Sequence, residues 1–178
     1  MKTFAYFVDE QYIKDNSPID DNVDSKLLAT AMRTAQDIYI RDIIGSGIYD
    51  EITDQINAST LAADSENTTL VTHYIAPCLL HYVISEAALP MTFKMMNKSI
   101  STRNSDNSNP LDIDQLVKLQ NYYKDRAEYY ANRLREYLEE NHTLYPLFHN
   151  PGNGQDVIHP KRTTFYSGFY FDNGSDCI

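Results

Sequence analysis

Residues 20–51, DDNVDSKLLATAMRTAQDIYIRDIIGSGIYDE, decide the fold. Leu27, Leu28, Ala31, Ala35, Ile38 and Tyr39 recur at helical spacing, so the first two thirds of the stretch predict an amphipathic helix. Asp24 stands where an N-cap belongs, and Gly45 where a helix ends. Ile48-Tyr49 then open a second helix, with Asp50 and Glu51 in its first turn, where the helix dipole favours acids. The stretch therefore reads as two helices, about 24–41 and 46–58, joined by a tight Gly-Ser-Gly break.

Working outward, residues 3–8 (TFAYFV) suit a short strand or an extended arm. Residues 10–16 form a helical turn ended by Ser17-Pro18, because the residue before proline leaves the helical region. Downstream, 59–67 is a polar loop and 68–96 an apolar helix. Leu70, Tyr74, Pro77, His81, Ile84, Ala88 and Met91 form one of its stripes. A helix apolar nearly all round belongs at the centre of a bundle, and Pro77 is expected to kink or restart it. Residues 97–109 carry a single apolar side chain, Ile100, and read as a polar loop. A long helix over 111–140 follows, with Ile113, Leu116, Gln120, Tyr123, Ala127, Tyr130, Leu134 and Tyr137 spaced three and four apart. Its length exceeds what a small domain needs, so it is expected to project or to meet a neighbouring subunit. The predicted fold class is mainly α: a helical bundle of about four helices with a long C-terminal helix, a polar loop or hairpin insertion and an extended aromatic tail. Residues 1–147 form the helical domain and 148–178 the tail arm.

Composition narrows the function. The 178 residues are 42% hydrophobic with 6 Gly and 7 Pro, the profile of a globular chain. A formal net charge of −10 opposes freestanding DNA binding, which draws on Lys and Arg at phosphates. Two cysteines, Cys78 and Cys177, are too few for a disulfide scaffold. The run 74–91 holds Pro77, His81, Glu86 and Pro90 and reads as a buried helix rather than a membrane span. The start, MKTFAYFVDE, lacks the pattern of a signal peptide.

No catalytic or metal-binding pattern emerges. Gly45-Ser46-Gly47 lacks a following Lys or Arg, so a helix–helix turn explains it better than an anion site. His73 and His81 are two turns apart, and His142, His149 and His159 are scattered. Asp9, Glu10, Asp15, Asp20, Asp21 and Asp24 read as a solvated acidic face. The expectation is no enzyme, no cofactor and no metal.

The fourteen tyrosines, with no Trp, are more informative. Tyr123 and Tyr130 belong to the core stripe of the long helix. Tyr122, Tyr129 and Arg133 flank it, a composition enriched at protein contacts. Phe165, Tyr166, Phe169, Tyr170 and Phe171 lie in TTFYSGFYF (163–171), after a Gly/Asn-rich linker. That β-prone segment has no visible partner strand and is expected to dock on another protein surface.

Several motifs, taken in order, resemble the head-to-tail connector (adaptor) proteins of tailed bacteriophages, including those of crAss-like phages of gut Bacteroidetes. They are Asn22-Val23-Asp24, Ala35-Gln36-Asp37, Ile44-Gly45, Ile48-Tyr49, Tyr74-Ile75-Ala76-Pro77, Asn97-Lys98 before a variable hairpin, 126–138 (RAEYYANRLREYL) and Asn141 with Tyr145-Pro146. The resemblance covers about 4–147 and leaves 151–178 unmatched. It implies a virion protein forming a ring, of twelve copies by analogy, beneath the portal protein. The ring would join capsid to tail, dock the next tail or connector ring protein, and extend a channel through which DNA passes without specific binding. It implies no membrane partner and a stay in the host cytoplasm during assembly. The alternative is a soluble helical phage binding or regulatory module acting as a small oligomer.

Overall fold

A computed structural model describes residues 4–96, 99–102, 112–152 and 156–160. The chain is mainly helical. After an extended arm come α1 (Glu10–Asn16), α2 (Ser25–Ala35), a π-helical turn (Gln36–Ile40) and α3 (Arg41–Asn57). A 3-10 turn (Leu61–Ala63), α4 (Ser65–Leu70), a second π-helical turn (Val71–Ile75) and α5 (Ala76–Thr92) follow. The strands β1 (Phe93–Met96) and β2 (Ser99–Thr102), the long α6 (Ile113–Glu140) and the short α7 (Pro146–His149) complete the order.

The local chemistry accounts for these boundaries. Asp24 caps α2 by accepting from the Lys26 amide, as its position suggests. Asp64 accepts from the Glu66 and Asn67 amides, so the helix expected from residue 68 starts three residues earlier, at Ser65. Those bonds, the Asn67 amide first, hold the Asp64 carboxyl below its ordinary pKa. Asp112 and Gln115 form a capping box at the start of α6, which satisfies amides that have no partner within the helix.

The two π turns join consecutive helical segments, α2 to α3 and α4 to α5. In the second, the Ala76 amide donates to the Val71 carbonyl, and Pro77 follows immediately. Proline has no amide hydrogen and its ring crowds the carbonyl four residues back. A wider turn placed just before it relieves that crowding. Regular α-helix begins afresh at Ala76, with Pro77 in its first turn, which is the restart expected of a proline there.

The far end of this helix departs from expectation. It stops at Thr92, and Phe93 is already extended (φ −115°, ψ 144°). Pro90 lies in its last turn, and its missing amide withholds the helical hydrogen bond to the Glu86 carbonyl and weakens that turn. Instead β1 pairs antiparallel with β2 in the register Phe93–Thr102 to Met96–Ser99. The hairpin alternative for this insertion thus holds for the paired residues 93–96 and 99–102. Residues 97–98 and 103–109 of the expected loop lie outside the described residues.

The α5 helix is the centre of the bundle, packed against α6 on one side and α2 on the other. The helix Ser65–Thr92 is long and apolar enough to cross a membrane, but 61% of its apolar window is buried within the protein. Cys78, Leu79 and Val83 of α5 and Ala127, Ala131, Leu134 and Leu138 of α6 are fully buried. Small side chains bring the helices close enough for the Cys78 thiol to reach the Ala127 carbonyl at 3.7 Å. Ser85 and Gln120 exchange hydrogen bonds with each other's backbone carbonyls at 3.1 and 3.3 Å. Burial pushes the Cys78 pKa up, so the group stays a neutral thiol.

The buried stripe of α6 is rotated from the expected one. Leu116, Ala127, Ala131, Leu134 and Leu138 are buried, whereas Ile113 is 63% exposed. Tyr123, Tyr130 and Tyr137 sit beside the core, partly buried. An aromatic ladder runs along this seam. Tyr137 stacks on Tyr74 at 3.9 Å, and His81 stacks on Tyr130 at 5.1 Å. The Nδ1 of His81 is buried with no hydrogen-bond partner. Desolvation, helped by the Arg126 charge, lowers its pKa.

Candidate functional site

The Gly45 break is a docking site for the C-terminal segment as well as a turn. Gly45 has φ 77° and ψ 161°, a region open essentially to glycine alone. The excursion frees the Ser46 amide, which donates to the Ile158 carbonyl at 3.0 Å. The Ile158 amide donates back to Ser46 Oγ at 3.1 Å. A Cβ on Gly45 would lie 2.8 Å from Pro160 Cδ and 3.1 Å from the Ile158 oxygen. One on Gly47 would meet Pro151 Cα at 2.8 Å. Both glycines are therefore required by close approach of the segment that follows α7. Arg41 completes the clasp by pairing with Asp156 at 2.9 Å.

A second clasp holds the N-terminal arm. Gln36 is fully buried. Its Nε2 donates to the Ala5 carbonyl at 2.8 Å and to the Tyr49 hydroxyl at 3.1 Å. Its Oε1 accepts from the Phe7 amide at 3.0 Å. The Tyr49 hydroxyl in turn donates to Asp37 at 2.8 Å, and burial raises its pKa. Gln36 opens the first π turn, which also carries Asp37 and Tyr39. The two clasps meet at Tyr49. Its ring is 5.0 Å from that of Phe7 and lies under the Arg41 guanidinium at 5.6 Å.

The closing segment is fastened too. The Tyr145 hydroxyl donates to the Glu66 carbonyl at 2.8 Å, and Phe148 of α7 is fully buried in the main core. Residues 146–152 and 156–160 thus belong to the folded body, so the start of any free arm moves past Pro160.

The expected contact residues fall into two groups. Tyr122 and Tyr129 are 49% and 67% exposed, and Arg133 is exposed beside them on α6. The guanidinium of Arg126, between the two tyrosines, lies 4.4 Å above the Tyr122 ring. That of Arg133 lies 5.0 Å above Tyr74. These four residues, spaced 4-3-4, form one outward stripe of alternating tyrosine and arginine. Arg126 went unread as part of it, although its spacing was available. Phe165, Tyr166, Phe169, Tyr170 and Phe171 lie outside the described residues.

On the other flank of the α5–α6 pair, Tyr39 and Tyr82 stack at 4.1 Å. Their hydroxyls donate to Glu86 at 2.7 Å and Glu128 at 2.9 Å. Burial first, then the bond to Glu86, pushes the Tyr39 pKa up to about 12, which keeps it a neutral donor. His142 and His149, distant in sequence, bring their rings to 5.9 Å. Among the described residues no three His, Cys, Asp or Glu side chains converge as a metal site would require.

Residues 40–158 match the profile of a family of unknown function, DUF6712, and the chain belongs to that family. The match takes in the Ser46–Ile158 and Arg41–Asp156 contacts of the first clasp, and Gln36 with the N-terminal arm lies before it. No curated protein and no solved structure matches the chain.

Proposed function

We propose that this protein is a structural subunit of a phage head-to-tail connector ring, seated below the portal and lining part of the DNA channel. The observation that carries the reading is the Tyr122–Arg126–Tyr129–Arg133 stripe. Tyrosine and arginine are the side chains that concentrate binding energy at protein interfaces. Here they stand outward on a helix about 42 Å long, which is anchored along its other side by the core. Around a closed ring each modest contact is repeated, and the sum holds the assembly together. The order of the connector-like motifs supports the same reading. So does the structural role now visible for three of them, since Ala35-Gln36-Asp37, Ile44-Gly45 and Ile48-Tyr49 together hold the arm at Ala5–Phe7 and the segment 156–160 against the helices. No catalytic step is invoked.

Electron microscopy and light scattering of the protein, alone and mixed with its portal, test this. Rings on the portal are the expected result, and a strictly monomeric protein that ignores the portal overturns it. Replacing Tyr122 and Tyr129 together by Ala should reduce assembly much more than thermal stability. Equal loss of both would mean that the rings serve the fold rather than an interface. The net charge of −10 further predicts no binding of duplex DNA at physiological salt. A salt-sensitive affinity for DNA would favour a nucleic-acid-binding module instead.

A further inference from the structure

The arm, α2 and the end of α3 enclose an open apolar groove of about 510 Å3, lined by Phe7, Val8, Ala29, Met32, Ile56 and Leu61, with Asp9 and Glu10 as its charged members. We propose that residues 163–171 of the same chain seat in this groove, with Phe165, Phe169 and Phe171 turned inward.

Three observations converge on that occupant. The first is where the described chain ends. Pro160 is buried against Gly45, and Ile158 and Asp156 are bonded to Ser46 and Arg41, so the following residues leave from a fixed point. Tyr49 and Ile56 are seven residues apart and share a face of α3. The first touches Phe7 and Arg41, and the second lines the groove. The exit and the groove are therefore on neighbouring parts of one surface.

The second is reach. From Gly45 to Ile56 the helix rises about 16 Å. From Pro160 to Phe165 an extended chain covers up to about 17 Å, and six more residues carry Phe171 along the groove. A segment tethered this closely has an effective concentration in the millimolar range, which a second copy in solution has to exceed.

The third is pattern. In an extended chain alternate residues share a face. That places Phe165, Ser167, Phe169 and Phe171 on one side, and Tyr166, Gly168 and Tyr170 on the other. The phenylalanine side suits an apolar groove, and the tyrosine side leaves hydroxyls toward water. A second surface depression, beside Gly47 and Pro151, is lined by Asp50, Glu51 and Asp54. Burying phenylalanines there would strip water from carboxylates, which opposes docking.

This reading is independent of ring formation and replaces the expectation that the aromatic segment docks on another protein. Because the chain has no Trp, Phe169→Trp supplies a single reporter in the full-length protein. Seating predicts blue-shifted emission shielded from a soluble quencher and unchanged on dilution below the concentration at which light scattering detects any assembly. In the Phe169→Trp background, Ala29→Arg and, separately, Leu61→Glu should return the emission to that of an exposed indole. Circular dichroism identifies which of the two groove variants remains folded, and the folded one is read. Exposed emission in the parent, or shielding that survives the folded groove variant, overturns the proposal. Shielding that disappears on dilution assigns the segment to a second copy and likewise overturns it.

Discussion

Gly45→Ala should be among the most damaging single-methyl additions in this protein. An alanine at φ 77°, ψ 161° occupies a backbone region that costs about 1–3 kcal/mol for any residue with a Cβ. The new methyl would also lie 2.8 Å from Pro160 Cδ, so either the backbone shifts or the 156–160 segment lifts. Lifting it breaks the reciprocal Ser46–Ile158 hydrogen bonds, each worth about 1 kcal/mol net. The Arg41–Asp156 pair adds little, because the Asp156 side chain is 82% exposed. The expected loss is about 3–4 kcal/mol, or a fall in Tm of roughly 10 °C for a chain of this size. Thermal and urea unfolding followed by circular dichroism measure it. Repeating the substitution in a chain ending at Pro151 separates the two causes, as in a double-mutant cycle. There the clash and the lost hydrogen bonds are gone, so only the backbone strain should remain. An unchanged Tm in the full chain, or the same loss in both backgrounds, would refute the claim that Gly45 is fixed by the docked segment.

Gln36→Leu keeps the side chain's bulk but strips the Phe7 amide and the Ala5 carbonyl of their buried partner, so a loss of about 2–4 kcal/mol is expected. Limited proteolysis should then cut within residues 4–9, and an arm that stays protected would contradict the role given to Gln36. Ala131→Leu adds three carbons at a fully buried position of α6 and should lower stability by about 1–3 kcal/mol. Acid should weaken the fold in two steps whose signs agree. His81, with its pKa lowered below 6.5, binds fewer protons folded than unfolded, so stability begins to fall as pH drops below 6.5. Asp64, lowered from 3.8, contributes stability that is present above that value and lost as pH falls through its depressed folded pKa. Urea midpoints between pH 8 and 3 test this. In His81→Phe the upper step should vanish and the lower remain.

Much of the architecture is legible in the chain because its signals are local. The 3.6-residue periodicity that marks α2, α5 and α6, the cap at Asp24, and the break at Gly45 each depend on residues within one or two turns. The lesser misses at 65–67 and 93–96 are local too. Asp64 offered an unread cap, and Pro90 an unread stop. Two further features are decided only by the tertiary packing. Gln36 appears in sequence as one member of the Ala35-Gln36-Asp37 motif, and only the return of the arm to its amide makes it a clasp. Gly45 and Gly47 announce a turn, yet the reason a Cβ is excluded there is a segment more than 100 residues away, and no spacing rule encodes that proximity. The Tyr122–Tyr129 flank lies between these cases. Helical geometry places those rings outside the core stripe, but their actual exposure, and the arginines drawn over the Tyr122 and Tyr74 rings, depend on how α6 rotates to bury Ala127 and Ala131 against α5. Periodicity selects a face to within a residue or two. Close packing of small side chains selects the rotation, and so determines which aromatic rings are left facing outward.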